Sequence, residues 1–455
     1  MKILFILQYV PFPLNSGGNQ AMFNMIEPIR KKHQVSLLFY IKSQAELEGI
    51  DQLQKRWTDV DFHFQKAPWL SGLSSKEPEK PQEALPTSLS YRFFDSIRRS
   101  MERKTNRRIR KFRMKQAKQV CKASSSTPPI QEDFVRSHSC IFNSIPCLDA
   151  PEEFLDFVYQ VARKGFDVIQ TEFYECLPLV YLLPENAIKV FVQHEIRYIR
   201  NQNELKLFKE IRPKDLLRFQ TLKDAEEKAL SHYDKIIALT ETDRDIMWQA
   251  NPELDIYVSP AAVSLPASTM QYKQAATDLV FVGSGDHFPN ADGVMWFCSE
   301  VLPLLKRKGL DIRLHVIGVW NELLRLQLQA RVSDLVFTGF IEDLPSFING
   351  KISIVPIRIG SGMRMKILDS VFAASPIVTT SKGCEGLPLA HEKDCYIADT
   401  AEDFAHAVAQ LLEHPETQKK FTEECRLKFN GSFSTANMQK RRLEFYENLQ
   451  PKKTS

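Results

Sequence analysis

No apolar run in the 455 residues reaches the roughly 18 to 20 positions that cross a bilayer. The first such run, MKILFILQYVPFP, contains Gln8, stops at Pro11 and has no small-residue cleavage site, so it reads as a buried strand and not as a signal peptide. These absences predict a cytoplasmic protein, peripheral to a membrane at most. Eight cysteines are scattered without a CxxC pair or a His at ligand spacing, which argues against a disulfide framework or a structural zinc and for free thiols in a reducing compartment. There is no GxGxxG after the first strand, so a dinucleotide fold of the oxidoreductase kind has little support. No residue pattern demands a metal.

What is present is an ordinary globular composition, 43% hydrophobic and 25% charged, long enough for two domains. The net charge of +4 hides an asymmetry. Between Arg98 and Lys122 twelve Lys and Arg stand against Glu102 alone, so the rest of the chain is net acidic. This piece is bracketed by the polar, proline-rich stretch from Ser74 to Pro86 and by SSSTPP at 124–129, which read as linkers. Phe93, Ile97, Met101 and Phe112 draw one thin apolar stripe along it. A basic stripe of that kind suits an anionic membrane surface, with a solvated or partner-facing helix as the alternative. Neither aromatic interleaving nor a zinc or helix-turn-helix pattern accompanies the charge, which disfavours nucleic acid.

Along the rest of the chain, apolar strands alternate with helical periodicity. Gly17 and Gly18 form a glycine pair after the first strand, expected as a flexible turn before a helix ending near Lys32; Val35 to Tyr40 is the next strand. After the basic region come a helix at 152–164, a strand in FDVIQTEF and a strand at 187–193, placing His194 at a strand's carboxyl end, where ligands sit in open parallel sheets. A second series starts with DLVFVGSGDHFPNADGVMWF, in which Gly283 and Gly285 make the loop and a helix follows Pro289. The stretch around which the others are arranged is 360–387, GSGMRMKILDSVFAASPIVTTSKGCEGL. A strand at 352–356 leads through two glycines into a helix whose apolar spacing runs from Met363 to Ala374. The unpaired N–H groups and positive pole of such a helix start favour phosphate, and Arg364 and Lys366 add two full charges. Asp369 supplies an acceptor suited to sugar hydroxyls, and Glu385 lies in the polar turn after the next strand.

The order of residues in 360–387 resembles the donor-binding segment of GT-B glycosyltransferases of the family-4 retaining type, in the subgroup reading roughly GSGxRxKILE followed by PVVxTxxGxEGL. FVGSGDHFPNADGVMWF resembles the FVGSxxxxPNxDAxxWF of the same family, and NSGG its opening segment. The likeness covers residues 1–70 and 150–449 and is strongest over 278–412. It implies an α/β protein of GT-B type, two doubly wound Rossmann-like domains facing a cleft: an acceptor-side domain at 1–265 with a basic insertion at about 72–150, a nucleotide-sugar domain at 266–430, and a last helix at 431–455 crossing back. It also implies a retaining hexosyltransferase acting on a nucleoside diphosphate sugar, with a glycan or lipid-linked acceptor, as in cell-surface polysaccharide or glycoconjugate synthesis.

The resemblance assigns His194, Arg364 and Lys366 to catalysis, and Gly17, Gly18, Gly283, Gly285, Ser361, Gly362, Met363, Asp369 and Glu385 to the donor. No metal or cofactor belongs to the scheme. Two positions depart from the family: Asp369 replaces the Glu that holds the ribose, and Ser361 replaces the first Glu of the spaced pair. Relatives of the commoner kind carry Arg and Lys just after the Gly283–Gly285 loop; this chain has none there, leaving Arg364 and Lys366 as substitutes. An epimerase of the same fold, or a non-catalytic nucleotide-sugar-binding or membrane scaffold protein, remains an alternative.

Overall fold

The computed structural model describes residues 1–14, 17–70, 131–143, 150–261, 270–274, 277–330, 332–450 and 452. The basic segment 98–122, and most of the insertion expected at 72–150, lie outside them.

The described residues form two sheets, parallel throughout. The first joins β1 (Lys2–Leu7), β2 (Gln34–Ile41), β3 (Val60–Lys66), β4 (Val168–Glu172), β5 (Ile188–Gln193), β6 (Lys235–Ala238) and β7 (Ile256–Val258) in the order β3-β2-β1-β4-β5-β6-β7. The second joins β8 (Asp278–Val282), β9 (Arg313–Ile317), β10 (Leu335–Gly339), β11 (Ile352–Val355), β12 (Ile377–Thr379) and β13 (Tyr396–Ile397) in the order β10-β9-β8-β11-β12-β13. Helices cover both faces, so the central strands are buried along their whole length and not alternately; β4 and β5 are buried at every position. Each order reverses once, between β1 and β4 and between β8 and β11. At such a point adjacent loops diverge and leave a crevice beyond the carboxyl ends of the strands.

Local chemistry explains where several elements differ from expectation. Gly17 and Gly18 do not form a turn; they open the helix Gly17–Arg30. Their lack of a side chain serves close approach: a Cβ on Gly18 would lie 2.7 Å from the Tyr9 hydroxyl, and one on Gly17 would lie 3.3 Å from Cβ of Met365 in the second domain. The helix expected from Met363 starts at Met365, because Gly360 and Gly362 take φ of +120° and +80° and Arg364 is extended. The helix expected after Pro289 begins one residue before it, at Phe288, where the missing proline N–H costs nothing.

The helices Ala401–Glu413 and Pro415–Ser432 stay with the second domain, and Thr435–Glu447 returns to the first. There Glu447 pairs with Lys32 at 2.6 Å, Gln439 donates to the Asn24 carbonyl at 3.0 Å, and Phe445 packs on Tyr257. The end of the insertion also packs on the first domain. Gln131–His138 and Cys140–Asn143 are tied to it by Arg136 on Asp215 at 2.5 Å and by Ser139 donating to Glu204 at 2.6 Å. Six cysteines among the described residues are buried, and among those residues no helix is long and apolar enough to cross a membrane.

Candidate active site

The crevices of the two sheets face each other across a cleft of about 1570 Å³. Its lining includes Gln8 and Tyr9 after β1, Phe173 after β4, His194 and Glu195 after β5, the Gly283–Asn290 loop after β8, and the start of the Met365–Phe372 helix.

On the second-domain wall, Lys366 reaches over the Phe281 ring, 4.3 Å from its centroid, and donates to Asn290 Oδ1 at 2.5 Å. Its ammonium lies deep in the cleft, surrounded by protein yet within reach of solvent. Burial, with the charge of Arg364 adding to it, pushes its pKa down to about 7 despite Asp369. Asp369 one turn on is pushed up to about 7 by burial, with Lys366 opposing. Both groups therefore gain from a ligand that supplies the missing charge or hydrogen bonds. Arg364 curls back so that Nη1 donates to the Ser361 carbonyl, while Nε and Nη2 have no hydrogen-bond partner among the described residues. Burial pulls this guanidinium's pKa down, although Glu195, Glu385 and Asp243 surround it. Unsatisfied donors on a buried cation are costly, and an anion removes the cost.

On the first-domain wall, His194 stacks flat on Phe173, with centroids 4.1 Å apart and planes at 9°, and its Nε2 meets Glu172 Oε2 at 2.8 Å. Phe173 holds φ of 69°, unusual for a residue with a side chain, and also packs against Tyr9. Beside His194 is Glu195. Burial alone would raise its pKa, but Arg200 at 3.0 Å and Arg197 at 3.7 Å, with His287 and Arg364 beyond, reverse this and hold it down at about 2. Arg200 continues the network to Glu204 at 3.1 Å, so the returning insertion is part of one charged floor under the cleft. Ser137, His138 and Cys140 from that insertion line the cleft as well.

Of the twelve residues singled out in the sequence, His194, Arg364, Lys366, Gly17, Gly18, Gly283, Gly285, Ser361, Met363 and Asp369 line this one cleft. Gly362 and Glu385 do not. Gly362 faces the first domain, its N–H donating to Asp243 Oδ1 at 3.2 Å. Glu385 lies behind Arg364, paired with Lys382 at 2.5 Å, next to Gly386, which packs on Thr240. Ser361 lines the cleft, but its hydroxyl is already engaged: it accepts from the Ile196 N–H at 2.6 Å and is 2% exposed. The side chains that sequence reasoning did not assign are Glu195, Asn290, Asp243 and the Glu204 network. Asn290 carried a signal, since it is the Asn of the quoted PN pair.

Among the described residues no cluster of three or more His, Cys, Asp and Glu is placed to hold a metal. Chemically, the cleft offers two cations and a helix start for a diphosphate, a carboxylate for hydroxyls, and an imidazole on the opposite wall.

Residues 276–414 match the family model described as glycosyl transferases group 1. An uncharacterized 44.6 kDa protein in the cps region of Klebsiella pneumoniae is 27% identical over 136 residues, 28% of this chain and 35% of that one. The match thus spans about a third of that relative's length. Among solved structures, S. aureus TarM (mutant form, with Fondaparinux, alpha-GlcNAc-glycerol and UDP) superposes with a TM-score of 0.63 at 10% identity, covering 98% of this chain and 100% of the other. Anabaena Alr3699/HepE in complex with UDP and glucose gives 0.60 at 9%, covering 98% and 99%. An E. coli trehalose-6-phosphate structure bound with UDP-2-fluoro glucose gives 0.58 at 12%, covering 99% and 100%. Such coverage of both sheets at low identity establishes the GT-B fold.

Proposed function

We propose that this protein transfers a sugar from a nucleoside diphosphate sugar to an acceptor hydroxyl, with retention of configuration at the transferred carbon. The observation that carries the reading is Arg364 beside Lys366 at a helix start in the cleft lining, with two buried guanidinium nitrogens that no hydrogen bond among the described residues completes. The group 1 family match over the same wall and the UDP held by the neighbouring structures support it.

In this reading Arg364, Lys366 and the N–H groups of the Met365–Phe372 helix neutralise the charge that grows on the departing diphosphate, the largest electrostatic demand of the reaction. The bond from the anomeric carbon to the diphosphate breaks and a bond to the acceptor oxygen forms on the same face. The acceptor's proton passes to the leaving diphosphate. Asp369 holds the ribose diol, and His194 contacts the sugar from the first domain. The acceptor belongs to cell-surface polysaccharide or glycoconjugate synthesis, which the cps-region relative supports. The basic segment 98–122 would bring a lipid-linked acceptor to the cleft from an anionic membrane surface; co-sedimentation with anionic vesicles that weakens steeply with salt is its test.

The function is tested first by thermal shift across nucleoside diphosphates and their sugars. A ligand at 100 times its dissociation constant stabilises the fold by about 2.7 kcal/mol. Product analysis with and without acceptor follows. Product formed only with acceptor, carrying the donor's anomeric configuration, supports the reading; conversion of the donor without acceptor replaces it with an epimerase.

A further inference from the structure

The last helix of the chain reaches the cleft histidine through an unbroken line of buried side chains. Tyr446, on Thr435–Glu447, is fully buried and donates its hydroxyl to Gln170 Oε1. Gln170 is fully buried on β4 and donates from Nε2 to Glu172 Oε1 at 2.7 Å. Glu172, 4% exposed, holds His194 Nε2 at 2.8 Å with its other oxygen. Each atom has the role that the next one requires. The amide of Gln170 is oriented by having one hydroxyl to accept and one carboxylate to supply, and the carboxylate then spends one oxygen on the amide and one on the imidazole.

The surroundings favour the same polarity. Burial alone would raise the Glu172 pKa, but His194, Arg442 and Gln170 reverse this, so the carboxylate is ionised. An ionised acceptor keeps the shared proton on Nε2 of His194 and leaves Nδ1 as the ring nitrogen offered to a ligand. Arg442, one turn before Tyr446, is 1% exposed and donates to both Ser259 Oγ at 3.1 Å and the Ser259 carbonyl at 3.3 Å, which pins the helix at this depth. The helix arrives from the second domain. The side chain contacting a sugar in the first domain is thereby held by a segment that spans both.

We propose that Tyr446 is a positioning residue for His194, acting through Gln170 and Glu172, so that the docked C-terminal helix sets the tautomer and orientation of the cleft imidazole. The kinetic part rests on the function proposed above; the tautomer does not.

The test uses the full chain. Tyr446→Phe removes one hydroxyl and keeps the ring against Phe445 and Phe5. In ¹⁵N-histidine NMR, with the His194 signals identified by their loss in His194→Ala, the wild type should show the Nε2-protonated form. Tyr446→Phe and Gln170→Met should each shift population toward the Nδ1-protonated form or broaden the signals. In transfer assays Tyr446→Phe should lower kcat about tenfold, within the ~100-fold that a displacement of about 1 Å can cost, with the donor KM within about twofold. The double variant with Glu172→Gln should lose no more than Glu172→Gln alone. His194 signals identical to wild type in both relay variants, or losses that multiply in the double variant, overturn the proposal. A wild type that transfers from no donor overturns the proposed function instead, and the NMR comparison still decides the relay.

Discussion

The carbonyl oxygen of His194 occupies the space in which a side chain on Gly362 would begin: a Cβ there would lie 2.0 Å from it. The strand end carrying the cleft histidine and the loop carrying the cleft cations are thus in backbone contact, and only glycine permits this at φ +80°. Gly362→Ala should therefore do two things at once. The backbone conformation alone costs about 1 to 2 kcal/mol, and the clash adds to this by forcing the domains apart. Gly309→Ala is the control, because Gly309 has φ +78° and nothing within 4 Å of its would-be Cβ. A fall in Tm clearly larger for Gly362→Ala, together with a larger radius in X-ray scattering, is the expected outcome. Equal falls would show that the contact contributes nothing.

Ser361 invites a restoration experiment, since the resembled family carries Glu at this place. The structure argues against gain. Its hydroxyl bonds the Ile196 backbone across the domain boundary, and Glu195 is next to Ile196. A second buried carboxylate there must either lose solvation beside a like charge or push the domains apart. Ser361→Glu should lower both Tm and nucleotide affinity, and Ser361→Ala should cost about 1 kcal/mol for one lost hydrogen bond. Calorimetry with UDP measures both. A Ser361→Glu protein that binds UDP more tightly than wild type contradicts this account.

How much of this was legible in the sequence follows from how local each feature is. The alternation of strand and helix, the two glycine-bearing loops and the cation pair at the Met365–Phe372 helix all depend on residues within about one β-α unit, so pattern and resemblance reached them. Gly362 and Ser361 are attached to the donor by the resemblance of the 360–387 stretch. Their actual partners, Asp243 and Ile196, are more than a hundred positions away in the chain. The same distance hid Tyr446, which reads in sequence as one more aromatic on a helix. Glu195 has no assignment from the sequence; its role as a hub needs Arg200, Arg197 and Arg364 in three dimensions. The part of the insertion in the cleft wall, Ser137 to Cys140, was masked by the charge of the segment before it.

The assignment of the diphosphate to Arg364 and Lys366 predicts comparable losses from either. Replacing each with Ala should weaken binding of a nucleoside diphosphate by roughly 1.5 to 3 kcal/mol, the range for a hydrogen bond to a charged group. Tm without ligand should hold or rise for Arg364→Ala, because two unsatisfied buried nitrogens leave with it. Asp369→Asn should act differently, reducing the preference for a nucleoside diphosphate sugar over the bare sugar phosphate while leaving diphosphate contacts in place. Titration calorimetry of the three variants separates these outcomes. Unchanged affinity in both cation variants removes the assignment.

The sharpest test of the site concerns the proton on Lys366. In the unliganded cleft its pKa is pushed down to about 7 by burial and by Arg364, so at pH 8 most molecules hold it neutral. A bound diphosphate favours the charged form and raises that pKa again. Binding at pH 8 must then take up about one proton, and the uptake should vanish near pH 6, where the lysine is already charged. The sign follows: affinity falls as pH rises through the pKa of the free protein and levels off where the liganded pKa is reached. Calorimetry in buffers of different ionisation enthalpy counts the proton directly. Lys366→Arg should bind with little or no uptake at pH 8, because a guanidinium stays protonated in both states. Uptake that persists undiminished in Lys366→Arg would place the titrating group elsewhere in the cleft. No uptake in the wild type would mean that Lys366 is charged before the ligand arrives, and that its contact with Asn290 and the Phe281 ring, not an incoming phosphate, is what keeps it in place.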